Sequence, residues 1–413
     1  MTKTPAELLA ERAKRVKDAY ELRAPDRVPI SLNFGYMLAR LGGITNQEFE
    51  HDLDKAQALL EKYALYLEPD TAGGVSFGFL PHASVTLGDR QTKWPGYGVD
   101  PNAPFQFVEG EYMKAEEYDD FIHDHSDFLL RRFLPRSLGV LEPLQGLRPL
   151  SWAWYTRTAS YVSFFGKPEV SQALESLVKA GQEASRMMRV AVELTGEMES
   201  RGYPRQFVAS TYAPFDYIGD FFRGTRGIML DMYRNPDKLQ AAIDKVLPSL
   251  IEQGTSVART AGANRVFIPL HKGLDGFMSL DQFKTFYWPS LRKLMLACID
   301  AGFTPNPLFE GDCTSRLEVI GDIPKGKAVY WFERTDLFRA KEVLGDTVCI
   351  EGGVPSSLMI AGGPEEVKAY CRKLVTSLGK NGGFILNGDV GIADEAKPEN
   401  VRAIVEVVRE SYA

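Results

Sequence analysis

Apolar residues along this chain recur at two spacings, and the second half alternates between them. Apolar positions three or four residues apart predict helices over 169–198, 236–254, 279–301, 314–320, 336–344, 364–379 and 398–411. Short apolar or β-branched runs between these helices predict strands over 206–210, 265–269, 306–310, 328–332, 347–351 and 383–387. Strands that alternate with helices in this way predict parallel pairing through right-handed crossovers.

The same pattern is weaker in the first half of the chain. It predicts a helix over 5–22, a strand over 27–34, a helix over 46–65 and a strand over 74–80. The region near 93–165 is rich in Pro, aromatic and acidic residues and has little periodicity. We therefore predict an elaborated loop region there, with short helices.

The number of strand and helix units decides between two parallel architectures. Seven or eight units are present, and no G-x-G-x-x-G follows any strand, which disfavours an open nucleotide-binding sheet. We predict an α/β protein with a single (β/α)8 TIM barrel over residues 1–413, in which residues 1–26 form a helical N-terminal extension. In such a barrel the catalytic side chains follow the strands, where the loops converge at one face.

Composition narrows the range of partners. The 48 Lys and Arg residues against 55 Asp and Glu residues give a formal net charge of −7, and the sequence has no basic block. We therefore expect neither nucleic acid nor a membrane as partner, because both need a basic surface. The four cysteines lie outside C-x-x-C spacing, and no apolar run reaches the roughly 18 residues of a membrane span. We expect a cytoplasmic protein that acts on a small molecule.

Polar side chains gather after the predicted strands. Glu310 and Glu351 directly end apolar runs, and His271 and Lys272 follow another, so we expect all four at the mouth of the barrel. Carboxylates that share a concave site raise one another's pKa, which suits acid–base chemistry or cation binding. Aromatic residues near the strand ends supply an apolar wall. The predicted substrate-binding residues are Tyr212, Asp216, Tyr217, Lys272, Arg334, Glu351 and Trp154.

A plainer interpretation stays open for several of these positions. Asp, Asn and Gly after strands also serve turn geometry and helix N-caps, which accounts at least equally well for Ser279, Asp336 and Asp389. A lone histidine such as His271 can be a structural hydrogen-bonding residue. The two interpretations differ in whether the side chains meet in space.

Three segments resemble a known superfamily. They are APFDYIGDFFRGTRGIMLDMYRNPDKL (213–239), EVLGDTVCIEGGVPSSLMIAGGPEEVKAYCRKL (342–374) and GGFILNGDVGIADEAKPENVRAIVEVVRE (382–410). They are similar to the uroporphyrinogen decarboxylase superfamily, and the resemblance extends from RVPI at residue 27 to the C-terminus. The resemblance implies a single (β/α)8 barrel and one of two chemistries. These are decarboxylation of a tetrapyrrole without a cofactor, and methyl transfer or demethylation with a corrinoid protein, in which one branch uses zinc to activate a thiol.

Neither catalytic set of the superfamily carries over intact. The aspartate of the decarboxylases aligns near Phe79, their histidine aligns with Val390, and their R-Q-A-G-R motif is missing near Arg40. The zinc motif H-x-C-G of the methyltransferases aligns with residues 308–311, and their later cysteine again aligns with Val390. The resemblance therefore implies the fold and the reaction classes, whereas the reacting side chains differ.

Glu310 stands where the methyltransferases have a zinc-binding cysteine. Carboxylate and imidazole groups suit zinc, iron or manganese. A divalent metal, zinc first among them, is therefore a candidate cofactor, with His271, Glu310 and Cys313 as its candidate ligands, or Asp312 in place of the cysteine.

We expect a divergent enzyme of this superfamily that transfers methyl groups or demethylates ethers, with a corrinoid carried by a partner protein. In this hypothesis Glu310, His271 and Asp312 polarise the donor or acceptor heteroatom, and Asn387 and Asp389 orient it. These five residues are the predicted catalytic set.

Two other functions and the assembly stay open. A decarboxylase or lyase would act on a small carboxylated or aromatic compound, and Lys272 and Arg334 would hold its carboxylate. A protein that only binds a tetrapyrrole or corrinoid would have lost both catalytic sets. A homodimer is compatible with the sequence.

Overall fold

The apolar runs of the sequence form short parallel strands at the centre of the protein. A computed structural model describes residues 3–73, 81–204 and 209–412. The predicted strand over 74–80 and most of the one over 206–210 lie outside these residues. The strands of the described chain are β1 (Ser31–Asn33), β2 (Thr71–Gly73), β3 (Thr92–Pro95), β4 (Gly98–Val99), β5 (Gln106–Phe107), β6 (Arg265–Leu270), β7 (Thr304–Phe309), β8 (Val329–Phe332), β9 (Cys349–Val354) and β10 (Phe384–Gly388).

The sheet order is that of consecutive parallel units. Strands β10, β9, β8, β7 and β6 form a five-stranded parallel sheet in this order. Strand β1 pairs in parallel with β2, and a parallel bridge from Ile30 to Leu386 joins β1 to β10. At the other edge Ser210 forms a parallel bridge to Phe267 of β6. The α/β class and the parallel sheet are confirmed, whereas the step that would close the ring between β2 and Ser210 involves residues outside the described ranges.

Helices separate the strands and cover the sheet. They are α1 (Pro5–Tyr20), α2 (Met37–Gly42), α3 (Asn46–His51), α4 (Leu53–Tyr63), α5 (Pro81–Leu87), α6 (Tyr118–His123), α7 (His125–Phe128), α8 (Leu134–Ser137), α9 (Thr158–Val162), α10 (Pro168–Ser200), α11 (Pro214–Ile218), α12 (Gly224–Arg234), α13 (Pro236–Ala261), α14 (Leu280–Gln282), α15 (Trp288–Asp300), α16 (Leu317–Ile320), α17 (Leu337–Leu344), α18 (Ser356–Ala361), α19 (Pro364–Leu378) and α20 (Pro398–Ser411). Within the described ranges, no helix is both long enough and apolar enough to cross a lipid bilayer.

Local sequence signals set the ends of these helices. Thr4 and Glu7 form a capping box at the start of α1, in which each side chain accepts a hydrogen bond from the other residue's backbone N–H. Helix α13 begins with Pro236 and ends at Gly262, whose φ of 65° is the left-handed conformation typical of a helix C-terminus. The predicted helix over 46–65 is two helices, because Asp52 caps α4 through a 3.0 Å hydrogen bond from the Lys55 N–H.

The predicted N-terminal extension and loop region both have defined places. Val16 and Ala19 of α1 pack against Val329, Cys349 and Ile385 of the sheet. The region near 93–165 contains the small sheet β4-β3-β5 and the short helices α6 to α9. Its Phe121 and Phe128 pack against Phe222, which lies beyond α11. The loop region therefore covers the same end of the sheet as α11.

Strand β9 is longer than predicted at its C-terminal end. The predicted strand ends at Glu351, where the apolar run ends and Gly352 and Gly353 follow. The two glycines instead continue β9, with φ angles of 120° and 118° that only glycine adopts readily. A Cβ atom on Gly352 would lie 2.8 Å from the carbonyl oxygen of Phe332, so the glycine allows close pairing with β8. Glu351 therefore lies within the strand and not at its end.

Candidate active site

Three neighbouring positions at the ends of parallel strands bring polar side chains together. The Thr211 N–H donates to the Phe267 carbonyl at 3.0 Å, so Tyr212 follows directly beside β6. His271 follows β6, and Glu310 follows β7. The Glu310 N–H donates to the carbonyl of Leu270 at 3.3 Å. Parallel pairing therefore aligns these residues at one rim, as the sequence predicts for a barrel mouth.

His271 is held between two carboxylates. Its Nδ1 lies 2.5 Å from Oδ2 of Asp220, and because an ionised carboxylate only accepts, Nδ1 carries the hydrogen. Its Nε2 lies 3.7 Å from Oε1 of Glu310, which is too far for a direct hydrogen bond. The side chains of His271 and Glu310 are 30% and 38% exposed, so a substrate atom has access to both. The pair can act on one heteroatom placed between them.

Asp216 fixes the backbone that carries this histidine. Its fully buried carboxylate accepts the N–H of His271 at 2.9 Å and the N–H of Lys272 at 3.0 Å. The hydroxyl of Tyr287 donates to the same carboxylate at 2.6 Å. Burial, and then the charge of Asp220, raise the pKa of Asp216. Asp216 is therefore a positioning residue, since its oxygens are occupied by the protein.

Lys272 is also occupied by the protein. Its ammonium group forms a buried ion pair with Oδ1 of Asp220, the carboxylate that holds His271. It also faces the ring of Phe277 at 6.0 Å. Burial alone would raise the pKa of Asp220, but the hydrogen bond from His271 and the charges of His271 and Lys272 outweigh it and lower the pKa. Asp220 is thus an anion shared by two cations.

The same contacts set the charge of His271. Burial alone would lower its pKa, but the hydrogen bond to Asp220 and the charges of Asp216, Asp220 and Glu310 outweigh it and raise the pKa to about 9. The imidazole is therefore a cation at neutral pH, with a proton on Nε2. Burial raises the pKa of Glu310, His271 lowers it, and the neighbouring Glu333 raises it further, with a net upward shift. The site combines a charged proton donor with a partly buried carboxyl group.

Asp220 reaches the site because its helix is widened. Residues Gly219–Arg223 form a π turn between α11 and α12. A π turn inserts one extra residue into a helix and changes the direction of the following side chains. A Cβ atom on Gly219 would lie 2.9 Å from Cδ of Lys272, so a larger residue here would require the lysine side chain to shift. A second π turn, Phe283–Tyr287, ends on the tyrosine that donates to Asp216.

Aromatic rings flank the histidine on one side. The ring centroids of Tyr212 and His271 are 5.8 Å apart, and Phe221 lies 5.0 Å from Tyr212 and 5.5 Å from Tyr217. Burial raises the pKa of Tyr212 and of Tyr217, so both phenols stay neutral. They form an apolar wall beside a proton donor.

Two predicted mouth residues lie deeper in the sheet. Glu351 is fully buried, and Nδ2 of Asn387 donates to its Oε1 at 3.0 Å. Its Oε2 lies 3.6 Å from Nη1 of Arg265, which is the first residue of β6, whereas His271 follows the last. The expectation that Glu351 points to the mouth is therefore wrong, because its partner comes from the opposite end of β6. Asn387 lies with Glu351 and not with His271.

Other predicted residues have local partners. Asp312 accepts from the N–H and the hydroxyl of Thr314 at 2.9 and 2.6 Å, and Asp389 accepts from the N–H and the hydroxyl of Ser356 at 2.7 and 2.6 Å. These are the turn and cap contacts of the plainer interpretation. Arg334 pairs with its neighbour Glu333 and is 75% exposed.

Trp154 lies in a different part of the surface. It is 55% exposed and lines a cavity formed wholly by the segment 148–161. No residue that follows a strand of the sheet lines this cavity. The structure therefore does not bring Trp154 together with His271.

The predicted metal ligands do not fit a metal. Across the part of the chain that the structure describes, no three side chains of His, Cys, Asp or Glu are grouped as ligands. Burial, and then the charge of Asp275, raise the pKa of the Cys313 thiol to about 12, so this thiol is neutral at physiological pH. His271 Nδ1 holds Asp220, and its Nε2 faces Glu310 alone among the predicted ligands, at 3.7 Å.

Two residues that build this site, Asp220 and Tyr287, were not predicted from the sequence, and Glu333, which directly follows β8, was given no role. Asp216 and Asp220 are four residues apart in FDYIGD, and this spacing places two side chains on one helix face. That spacing is the signal that would have found Asp220. Glu333 accepts the Gly311 N–H at 2.5 Å. Tyr287 comes from a helix far from any strand end, so a search of strand ends alone does not reach it.

Comparisons with known proteins agree with this architecture. A family model described as uroporphyrinogen decarboxylase (URO-D) matches residues 167–411. A uroporphyrinogen decarboxylase of Chlorobium luteolum is 27% identical over 188 residues, 44% of this chain and 52% of the relative. One of Saccharophagus degradans is 24% identical over 264 residues, 63% of this chain and 71% of the relative. The matched region thus spans about half the length of the Chlorobium relative.

A solved structure extends the likeness to almost the whole chain. A methyltransferase from Methanosarcina mazei aligns with a TM-score of 0.62 and 17% sequence identity, covering 97% of this chain and 99% of the other. At this identity the likeness shows a common fold. The family model covers more than half of the 413 residues. This chain therefore belongs to the uroporphyrinogen decarboxylase family, as a divergent member.

Proposed function

We propose that this protein removes a methyl group from a heteroatom of a small molecule, passes it to a corrinoid carrier, and uses His271 as the proton donor to the leaving heteroatom. The observation that carries the proposal is the arrangement of His271 between Asp220 and Glu310, with Nδ1 at 2.5 Å from one carboxylate and Nε2 at 3.7 Å from the other. The imidazolium form, favoured by its pKa of about 9, holds the proton that such a leaving group needs.

The reaction balances with the groups present. The methyl group leaves without the electron pair of its bond to oxygen or nitrogen, and that pair stays on the heteroatom. The heteroatom then takes the proton from Nε2 of His271. A reduced corrinoid supplied by a partner would provide the nucleophile for the methyl group. Asp220 stabilises the imidazolium before transfer, and Glu310 holds the substrate atom close to Nε2.

The charges at the rim favour this chemistry over decarboxylation. In the decarboxylase alternative, Lys272 and Arg334 would hold the substrate carboxylate. Lys272 is already paired with Asp220, and Arg334 with Glu333. Glu310 and Glu333 would repel a polyanionic substrate. A neutral methyl donor with an aromatic ring fits the wall of Tyr212 better.

The assignment of a corrinoid rests on resemblance. The methyltransferase of Methanosarcina mazei has the same fold, and the segments 342–374 and 382–410 resemble the superfamily that includes corrinoid-dependent members. In this proposal the sheet closes into an eight-stranded barrel as one domain, so that the corrinoid approaches the rim at which His271 lies.

The test is a demethylation assay with free reduced cobalamin. Purified protein would be incubated with cob(I)alamin and, separately, guaiacol, methanol and trimethylamine, and loss of the cob(I)alamin absorbance would be followed. We expect consumption with at least one donor, its abolition in His271→Gln, and no change in His123→Gln, which alters an exposed histidine outside the site.

Two results would contradict the proposal. Release of CO2 from a polycarboxylated substrate, without consumption of cobalamin, would show that the protein is a decarboxylase and not a demethylase. A spectral shift of cobalamin without turnover of any donor would indicate a binding protein instead.

A further inference from the structure

The cavity that Trp154 lines is separate from the site described above. It has a volume of about 420 Å³ and is lined by Arg148, Ser151, Trp152, Trp154, Arg157, Ser160 and Tyr161. We call it the Arg–Trp cavity. Its volume is within the range of small-molecule sites, roughly 300–1,000 Å³. All of its lining comes from one stretch of the loop region, so its shape does not depend on the rim of the sheet.

The lining of the Arg–Trp cavity combines two groups that bind the same kind of ligand. Trp152 and Trp154 are each 55% exposed, although an indole is large and apolar and is usually more buried. Arg148 and Arg157 have no carboxylate within ion-pair distance among residues 3–73, 81–204 and 209–412. Each guanidinium therefore lacks a paired anion, and each indole is partly open to solvent, so both kinds of group can still bind a ligand.

The cavity is formed by tight turns with their own hydrogen bonds. The Arg157 N–H donates to the Trp154 carbonyl at 2.7 Å, and the Trp152 N–H donates to the Pro149 carbonyl at 3.0 Å. The hydroxyl of Tyr161, a buried residue, donates to the carbonyl of Arg148 at 3.3 Å, which ties the two ends of the segment together. The indole of Trp152 lies 5.8 Å from the Arg148 guanidinium. The backbone that carries the lining residues is therefore held in place by the segment itself.

We propose that the Arg–Trp cavity binds a small planar aromatic anion. The indoles would stack on the ring, and the two guanidinium groups would bind the carboxylate or phosphate. A lone inorganic anion would leave the indoles exposed, and a neutral aromatic molecule would leave both guanidinium groups without an anion. The ligand class follows from this pairing and does not depend on the proposed methyl chemistry.

Two kinds of ligand combine a planar aromatic ring with an anionic group: an aromatic carboxylate and a mononucleotide. Calorimetric titration of the full chain with 2-naphthoate and with adenosine 5′-monophosphate distinguishes them, and 2-naphthylmethanol is the uncharged comparison. We expect at least one anion to bind, with quenching of tryptophan fluorescence, and the alcohol to bind at least tenfold more weakly. Binding of one anion alone would identify the source.

Variants locate the binding. The double variant Arg148→Gln/Arg157→Gln is expected to weaken binding at least tenfold without a change in melting temperature, because both side chains are exposed. Arg189→Gln, at an exposed arginine of α10, is the matched control and should bind as the unmodified protein does. His271→Gln should also keep full affinity.

Three results would overturn the proposal. They are the absence of binding of both anions at millimolar concentration, unchanged affinity in the double arginine variant, and loss of affinity in His271→Gln. The last result would place the anion at the rim of the sheet and not in the Arg–Trp cavity.

Discussion

At the scale of single residues, the protonation of His271 decides what the rim can do. Its pKa in the folded protein, about 9, lies above the ordinary value of 6.5. Protonation therefore stabilises the folded state, and this contribution is fully present below about pH 6.5 and is lost as the pH rises through about 9. The raised pKa also keeps the imidazole of His271 charged at neutral pH, as a proton donor requires.

The rate of demethylation should follow that proton. We expect kcat/KM to be constant near neutral pH and to fall as the pH rises through about 9, because the donor is lost. His271→Gln should lower the rate by roughly 10²–10⁴-fold, the usual contribution of a positioned acid. A pH profile of the unmodified protein that stays flat to pH 10 would exclude His271 as the acid.

Glu310 supports the same charge from the other side. Its Oε1 lies 3.7 Å from Nε2 of His271, and its charge helps to raise the histidine pKa. Glu310→Gln should therefore move the alkaline limb of the rate profile to lower pH and lower the rate strongly, with little change in melting temperature. A large drop in melting temperature with an unchanged rate would assign Glu310 a structural role.

At the scale of elements, the π turn over Gly219–Arg223 places Asp220 under the histidine. An α-helix without the extra residue would turn the later side chains by about 100°. Gly219 also gives space to Lys272, which pairs with the same carboxylate. One short irregularity therefore aligns an anion with two cations.

Substitution of this glycine tests the arrangement. The new Cβ of Gly219→Ala would press on Cδ of Lys272 at 2.9 Å, displace the ion pair with Asp220, and lower the demethylation rate. Gly181→Ala is the matched control, because it lies in helix α10 with no atom within 4 Å of the new Cβ. We expect the control to keep its rate and gain roughly 0.5–1 kcal/mol of stability. Equal rates in both variants would contradict the role of the π turn.

At the scale of the whole molecule, a polar layer lies inside the sheet, away from the rim. Glu351 contacts Asn387 and Arg265, and its Oε2 has no hydrogen-bond partner among the described residues. Burial raises the pKa of Glu351, although Arg265 and hydrogen bonds oppose this. A raised pKa means that the folded state favours the protonated acid, so its contribution to stability is present below about pH 4.5 and is lost as the pH rises through the folded value.

Denaturation at two pH values tests this layer. The glutamine of Glu351→Gln cannot ionise, so this variant does not lose the stability that the unmodified protein loses as Glu351 ionises. The free energy of unfolding of the variant minus that of the unmodified protein should therefore increase from pH 5 to pH 8, by at most about 1.4 kcal/mol per pH unit. Glu175→Gln, at an exposed glutamate of α10, should show no such trend. Strong destabilisation of Glu351→Gln at pH 8 would show that the ion pair with Arg265 outweighs burial.

The sequence predicted strands β6 to β10 and part of the rim correctly. His271 and Glu310 were found because each directly follows an apolar run, and parallel strands align their ends. Asp220 was missed because the search was confined to the ends of strands, although its spacing from Asp216 indicates a shared helix face. Glu351 was placed at the rim because it directly ends an apolar run, whereas the following Gly352 and Gly353 continue the strand through close packing against β8.

The sequence by itself determined the alternation of helices and strands, the parallel sheet and the family, because each depends on spacing between near neighbours in the chain. Only the tertiary structure decided which polar residues meet. Depth along a strand, the direction of a widened helix and the pairing of charges depend on contacts between distant segments. For that reason Asp220 joined His271 and Glu310, while Glu351 and Asn387 were left inside the sheet.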